Sequence, residues 1–170
     1  MDETTKYYTF WPRLFAVIID VALFVVFVYV EHLFLGIEYS RNDDLLDGVN
    51  MILYPIYFIT MHGFYGQTLG KMIARVKVVN NKDEQPIMMQ QAFERELPNL
   101  VLNIKWITLT TCSSLSCIQK DSASSDIEYA ITAFLIVSTV WGISELVTVL
   151  FNKKRRAIHD FIGKTVVVRI

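Results

Sequence analysis

Cysteine is scarce in this 170-residue chain, with only Cys112 and Cys117. Two thiols cannot build a disulfide framework or a closed zinc site. Charge is scarce as well. Asp, Glu, Lys and Arg make up 19% of the residues, and the formal net charge is −1. Nothing in that balance calls for a nucleic-acid partner. There is no internal repeat, and no nucleophile, metal-ligand or cofactor constellation. Neither an enzyme nor a bound cofactor or metal is therefore expected. A cleavable signal peptide is not expected either, because the first apolar stretch is too long, contains Asp20 and lacks a small-residue cleavage site.

Apolar residues are abundant. They form 53% of the chain, and the mean hydropathy is +0.37. Between Leu14 and Tyr29 the only charge is Asp20; from Gly48 to Gln67 there is none; from Tyr129 to Phe151 there is only Glu145. A bilayer core of roughly 30 Å needs about 20 such residues per helix. The sequence predicts an all-α membrane protein, a single domain over residues 1–170. Four spans at about 11–35, 48–65, 98–118 and 128–151 form a transmembrane bundle. A small hairpin and amphipathic-helix insertion lies in loop 66–97, and a tail covers 152–170.

The basic residues orient these spans. All but Arg41, Lys105 and Lys120 of the 16 basic residues fall in the N-terminal segment, the middle loop or the tail. Positive charge stays inside. Both termini and the middle loop are thus expected in the cytoplasm, in a plasma or inner membrane. Within the loop, 74–79 (ARVKVV) reads as a strand, 80–83 as a turn, and 86–88 as a hairpin partner. Residues 89–97 read as an amphipathic helix with Ala92, Phe93 and Leu97 on its apolar side, ending at Pro98. The tail segment 165–170 (TVVVRI) is a second candidate strand for the first to pair with.

Ionisable residues in the spans need partners, because a bare charge in lipid costs several kcal/mol. Arg13 and Asp20 are seven apart on one helix face, about 10.5 Å along the axis. Asp20, His62, Lys105 and Glu145 come from four different spans at a similar depth, roughly 5–14 Å into the cytoplasmic half. They predict an inward-facing polar layer. It can act as a clamp that fixes helix packing or as a proton or cation pathway. Asp20 would pair with Lys105 first and Arg13 second. Glu31 and His32 suit an ordinary interfacial role at the other end of the first span. Asp160 would cap a helix or pair with Arg13 or Lys71, tying the tail to the first span. Cys112 and Cys117 could bond only if the outer end of the third span were irregular. Hydroxyls at Thr108, Thr110, Thr111, Ser113, Ser114 and Ser116 suit helix packing, or a hydrated path. The stretch Gly66-Gln67-Thr68-Leu69-Gly70-Lys71-Met72 has the outline of a phosphate loop. Its first glycine is one residue too close to Gly-Lys, however, and Met72 replaces the magnesium-binding hydroxyl. It reads as a tight turn with Lys71 at the lipid headgroups.

Three blocks carry a resemblance. They are 12–20 (PRLFAVIID), 66–71 (GQTLGK) followed by 75–79 (RVKVV), and 153–160 (KKRRAIHD) followed by 163–168 (GKTVVV). Together, and in this order, they resemble the RDD family of small integral membrane proteins. The family's Arg and two Asp would be Arg13, Asp20 and Asp160. Arg95 also resembles a family arginine, and Gly66, Thr68, Gly70, Lys71 and His159 lie in the matching blocks. The stretch 97–128 carries no family motif. The resemblance implies a transport-related role in cation/proton exchange, or an accessory role in membrane complexes. Four spans are few for an independent transporter, so the partners implied are the lipid bilayer, further copies of the chain or other membrane proteins, with monovalent cations and protons as cargo.

Overall fold

The computed structural model describes residues 6–36, 44–116 and 123–170. It is mostly helical. Four long helices are α1 (Phe10–Leu35), α2 (Asp44–Tyr65), α4 (Met89–Ser116) and α5 (Ala123–Phe151). Two short ones are α3 (Leu69–Ile73) and α6 (Ile158–Ile162). Strands β1 (Val76–Asn80) and β2 (Thr165–Arg169) complete the fold.

Two helical stretches are long and apolar enough to cross a membrane, Phe10–Leu35 and Glu128–Phe151. The expected four-span bundle is met to that extent. Helices α2 and α4 have spanning length but more polar content, including Asn50 and His62 in α2 and Glu94, Arg95, Glu96 and Lys105 in α4. Burial is inverted relative to a water-soluble protein. On α1 the buried residues are Ala16, Asp20 and His32, while Phe15, Ile18, Val26 and Phe34 are exposed. Apolar side chains facing outward and polar ones facing inward are what a lipid solvent demands.

Backbone packing is closest between α2 and α4, then between α1 and the short α3. Gly70 permits the second approach. A Cβ there would lie 2.1 Å from the Ala16 carbonyl oxygen and 2.8 Å from the Asp20 carboxyl carbon. At the far end, Asn50 donates to Glu31 at 2.8 Å and joins α2 to α1.

Strands β1 and β2 pair antiparallel, from Val76 opposite Arg169 to Asn80 opposite Thr165. The alternating valines divide between two faces, as the period of two requires. Val76, Val78 and Val167 pack with Ile87 and Ala92, and Val79, Val166 and Val168 pack against Tyr7. Each buried valine is worth about 1.5–3 kcal/mol relative to exposure. The tail strand is therefore the real partner of 76–80. The expected hairpin with 86–88 reduces to one bridge between Val79 and Pro86. The turn into the sheet depends on Gly66, whose φ is +70° and whose added Cβ would meet the Val78 carbonyl oxygen at 2.9 Å. That same carbonyl region is tied down by Val78 N–H donating to Gly66 O at 2.8 Å.

Two expectations about the middle loop need correction. Helix α4 does not end at Pro98 but runs through it. A proline removes one N–H and bends a helix, and packing on α2 outweighs that loss. The expected apolar side also splits. Ala92 is buried, but so are Arg95 and Glu96, while Phe93 and Leu97 are exposed. In lipid the polar side turns inward.

Candidate functional site

Asp160 is fully buried. Its carboxylate accepts from Arg13 Nη1 at 2.6 Å, from the Ala157 N–H at 3.0 Å and from Thr165 Oγ1 at 3.4 Å. Arg95 Nη2 lies 3.1 Å from its other oxygen. One side chain thus joins α1, α4, α6 and β2. Burial alone would push the Asp160 pKa up. The guanidiniums of Arg13 and Arg95, with His159, instead hold it well below the usual carboxylate range. Gly163 lets the tail come this close to α4, since a Cβ there would lie 2.8 Å from the Arg95 Cβ.

Two histidines each sit between a cation and a carboxylate. Lys71 Nζ is 2.6 Å from His62 Nε2, and His62 Nδ1 is 3.4 Å from Glu96 Oε1. Arg95 Nη2 is 2.8 Å from His159 Nε2, and His159 Nδ1 is 2.5 Å from Glu145 Oε2. Arginine only donates, so His159 Nε2 accepts and its proton sits on Nδ1, facing Glu145. An ammonium at Lys71 sets the same tautomer in His62. The two chains meet where Arg95 Nε lies 3.8 Å from Glu96 Oε1, and Asn99 holds the other oxygen of Glu96 at 3.1 Å. Lys71 is buried. That burial, reinforced by the positive charge of Arg95, lowers its pKa well below the usual lysine value, against the pull of Glu96 and Asp160.

Asp20 is satisfied differently. Its carboxylate accepts from Thr68 Oγ1 at 2.6 Å, from the Gly70 N–H at 2.8 Å and from Tyr57 OH at 3.2 Å. Thr68 also caps α3, accepting from the Lys71 N–H at 3.3 Å. The donors around Asp20 are all neutral.

A cavity of about 520 Å³ connects these groups. Arg13, Asp20, Lys71, Arg95, Glu96 and His159 line its polar part, and Phe58, Leu102, Trp106 and Phe134 its apolar part.

The structure brings together Arg13, Asp160, Arg95, His159 and Glu145, with His62 and Lys71 beside them. Several expected arrangements differ. Arg13 is used on Asp160, as one of the two basic partners expected for that acid, and not on Asp20. Lys71 is not at the headgroups but against His62. Lys105 is exposed and makes no polar contact with the described residues. It joins neither Asp20 nor the polar layer. Counting depth along a helix fixes a residue's level but not which way it faces. His32 Nδ1 lies 2.8 Å from the Val28 carbonyl oxygen on its own helix. Thr108 and Thr110 likewise donate to carbonyls of α4. Cys117, and the side chains of Cys112, Ser113, Ser114 and Ser116, lie outside the described residues.

Glu96, Tyr57 and Asn99 were not singled out by the sequence. Glu96 had a usable signal, an acid directly beside Arg95 in a segment flanked by outward-facing Phe93 and Leu97.

The chain is 27% identical to "Uncharacterized membrane protein YteJ" of Bacillus subtilis (strain 168) over 111 residues, covering 61% of this chain and 68% of that relative. No solved structure matches. The model of the RDD family matches residues 7–164, which takes in α1 with Arg13 and Asp20 and the tail with Asp160. The chain is a membrane protein and belongs to the RDD family.

Proposed function

We propose that this protein is a four-span, transport-related component of the cell membrane that exchanges protons for monovalent cations, as an oligomer or within a larger complex. In this reading the sheet, the middle loop and both termini face the cytoplasm, following the distribution of basic residues. The protein is not an enzyme.

The Lys71–His62–Glu96 chain is the observation that carries this reading. Its members are buried, with His62 2.6 Å from Lys71 and its Nδ1 3.4 Å from Glu96, a distance that must shorten for a proton to pass, and Lys71 and Glu96 border a cavity. Lys71 has a lowered pKa and gives up a proton readily. An ammonium proton passed to His62 Nε2 is matched by release of the Nδ1 proton to Glu96. Asp20, on the same cavity, accepts only from neutral donors and has no cation beside it among the described residues.

A second reading is a non-catalytic scaffold that binds partners through its loop and tail. The Asp160 hub favours it, because that hub fixes the sheet rigidly on the membrane helices.

Purified full-length protein in liposomes distinguishes the two. With an imposed pH gradient, the transport reading expects sodium- or potassium-dependent collapse of the gradient. No flux of sodium, potassium or protons would overturn it and leave the scaffold.

A further inference from the structure

The cavity contains hydrogen-bond donors that nothing among the described residues satisfies. Arg13 uses Nη1 on Asp160, and Arg95 uses Nη2 on Asp160 and His159. Arg13 Nη2, Arg95 Nη1 and Arg95 Nε are buried and lack a hydrogen-bond acceptor among the described residues. Both guanidiniums form part of the cavity wall, and Arg95 is only 2% exposed. The acids nearby do not answer this need. Asp20 has both oxygens engaged by Tyr57, Thr68 and Gly70. Glu96 is occupied by His62 and Asn99, and its contact with Arg95 Nε is long at 3.8 Å. A further buried hydroxyl without a partner, Ser138 Oγ on α5, belongs to the same wall.

Two guanidiniums held side by side by one carboxylate, each with free N–H groups, suit a planar or tetrahedral oxyanion. The remainder of the wall is unlike a site for a free ion in water. Phe58, Leu102, Trp106 and Phe134 offer apolar surface that continues from the polar end. The ligand this combination fits is an amphiphile.

We propose that the cavity binds a phosphate oxyanion carried on an acyl chain, such as the headgroup of an anionic phospholipid. Arg13 and Arg95 donate to the phosphate, and Leu102, Trp106 and Phe134 cover the adjoining chain. The inference concerns binding and stands or falls independently of whether protons move through the Lys71 chain.

Native mass spectrometry and thermal unfolding of the full chain in neutral detergent test it. Phosphatidylglycerol should be retained at one lipid per chain and raise the melting temperature, whereas phosphatidylcholine, with its net neutral headgroup, should do neither. Inorganic phosphate is the second arm. If millimolar phosphate alone stabilises as strongly as the lipid, the oxyanion site stands and the free ion is its source. Arg95→Gln should weaken phosphatidylglycerol binding roughly tenfold or more, the loss of a charged hydrogen bond. Leu102→Trp lies away from the Asp160 hub and fills the apolar end. It should weaken binding of the lipid but not of phosphate. No retention of phosphatidylglycerol by the wild-type protein, equal retention of phosphatidylcholine, or undiminished lipid binding by Leu102→Trp would each overturn the proposal.

Discussion

The two cation–histidine–carboxylate chains share one order of groups and differ in the cation and in how closely histidine meets its carboxylate, 2.5 Å for His159 and 3.4 Å for His62. In Arg95–His159–Glu145 the cation is a guanidinium that stays protonated at any accessible pH. In Lys71–His62–Glu96 it is a buried ammonium whose pKa is already drawn down. The first chain is anchored by Asp160, which also holds Arg13. It can clamp but cannot release a proton from its cation. Among the described residues no carboxylate is seen to contact the Lys71 ammonium directly, so nothing clamps it in the same way. On the proposed transport reading, the contrast puts locking on the tail side of the cluster and exchange on the α2–α3 side.

Breaking the clamp should have the largest effect. Asp160→Ala leaves two buried guanidiniums unpaired, and removing one partner of a buried ion pair costs about 3–5 kcal/mol. Thermal unfolding in detergent should report a loss of that size. An unchanged melting temperature would mean that the hub does not hold the tail to the membrane helices.

The exchange side should show itself through pH. The folded-state pKa of Lys71 lies well below its ordinary 10.5, so between the two values the unfolded chain binds more protons there. The stability of the wild-type protein should therefore rise as pH climbs toward 10.5 and level off above it. Lys71→Met should remove that rise. A wild-type stability that falls over the same window would mean that Lys71 is paired as an ordinary ammonium.

Asp20→Asn should be milder than Asp160→Ala, because its partners are neutral. The Thr68 hydroxyl can rotate to accept from the new amide, while Gly70 N–H and Tyr57 OH keep the remaining oxygen. A loss of about 1–2 kcal/mol is expected in thermal unfolding. A loss as large as that of Asp160→Ala would reveal a charged partner for Asp20. The smallest effect belongs to Lys105→Ala, an exposed site with no polar contact among the described residues. Its detergent stability should stay within about 0.5 kcal/mol.

Much of the clamp was legible in the sequence. Alternation in 74–79 and the valine run of the tail at 166–168 pointed to the pairing of loop and tail, and motif blocks placed Arg13 and Asp160 at the same boundary. The exchange side was harder to read. The carboxylate facing His62, Glu96 at 3.4 Å, lies in a segment whose polar residues would face water in a soluble protein and face inward in lipid. Asp20 is held partly by the backbone N–H of Gly70, a donor carrying no side-chain signature. Lys105 matched the depth of the polar layer but points the other way, since spacing along one helix says nothing of its rotation against the others. The run of α4 through Pro98 depends on packing against α2, a tertiary contact that outweighs the local stop signal.

Lys71→Arg converts the exchanging chain into a copy of the clamping one and tests this division most directly. The guanidinium keeps the positive charge and the donor to His62 but cannot lose its proton. The variant should assemble with near-wild-type stability in detergent, yet show no pH-driven cation flux in liposomes where the wild-type protein does. An assembled Lys71→Arg protein with wild-type flux would contradict the assignment of proton exchange to the Lys71–His62–Glu96 chain.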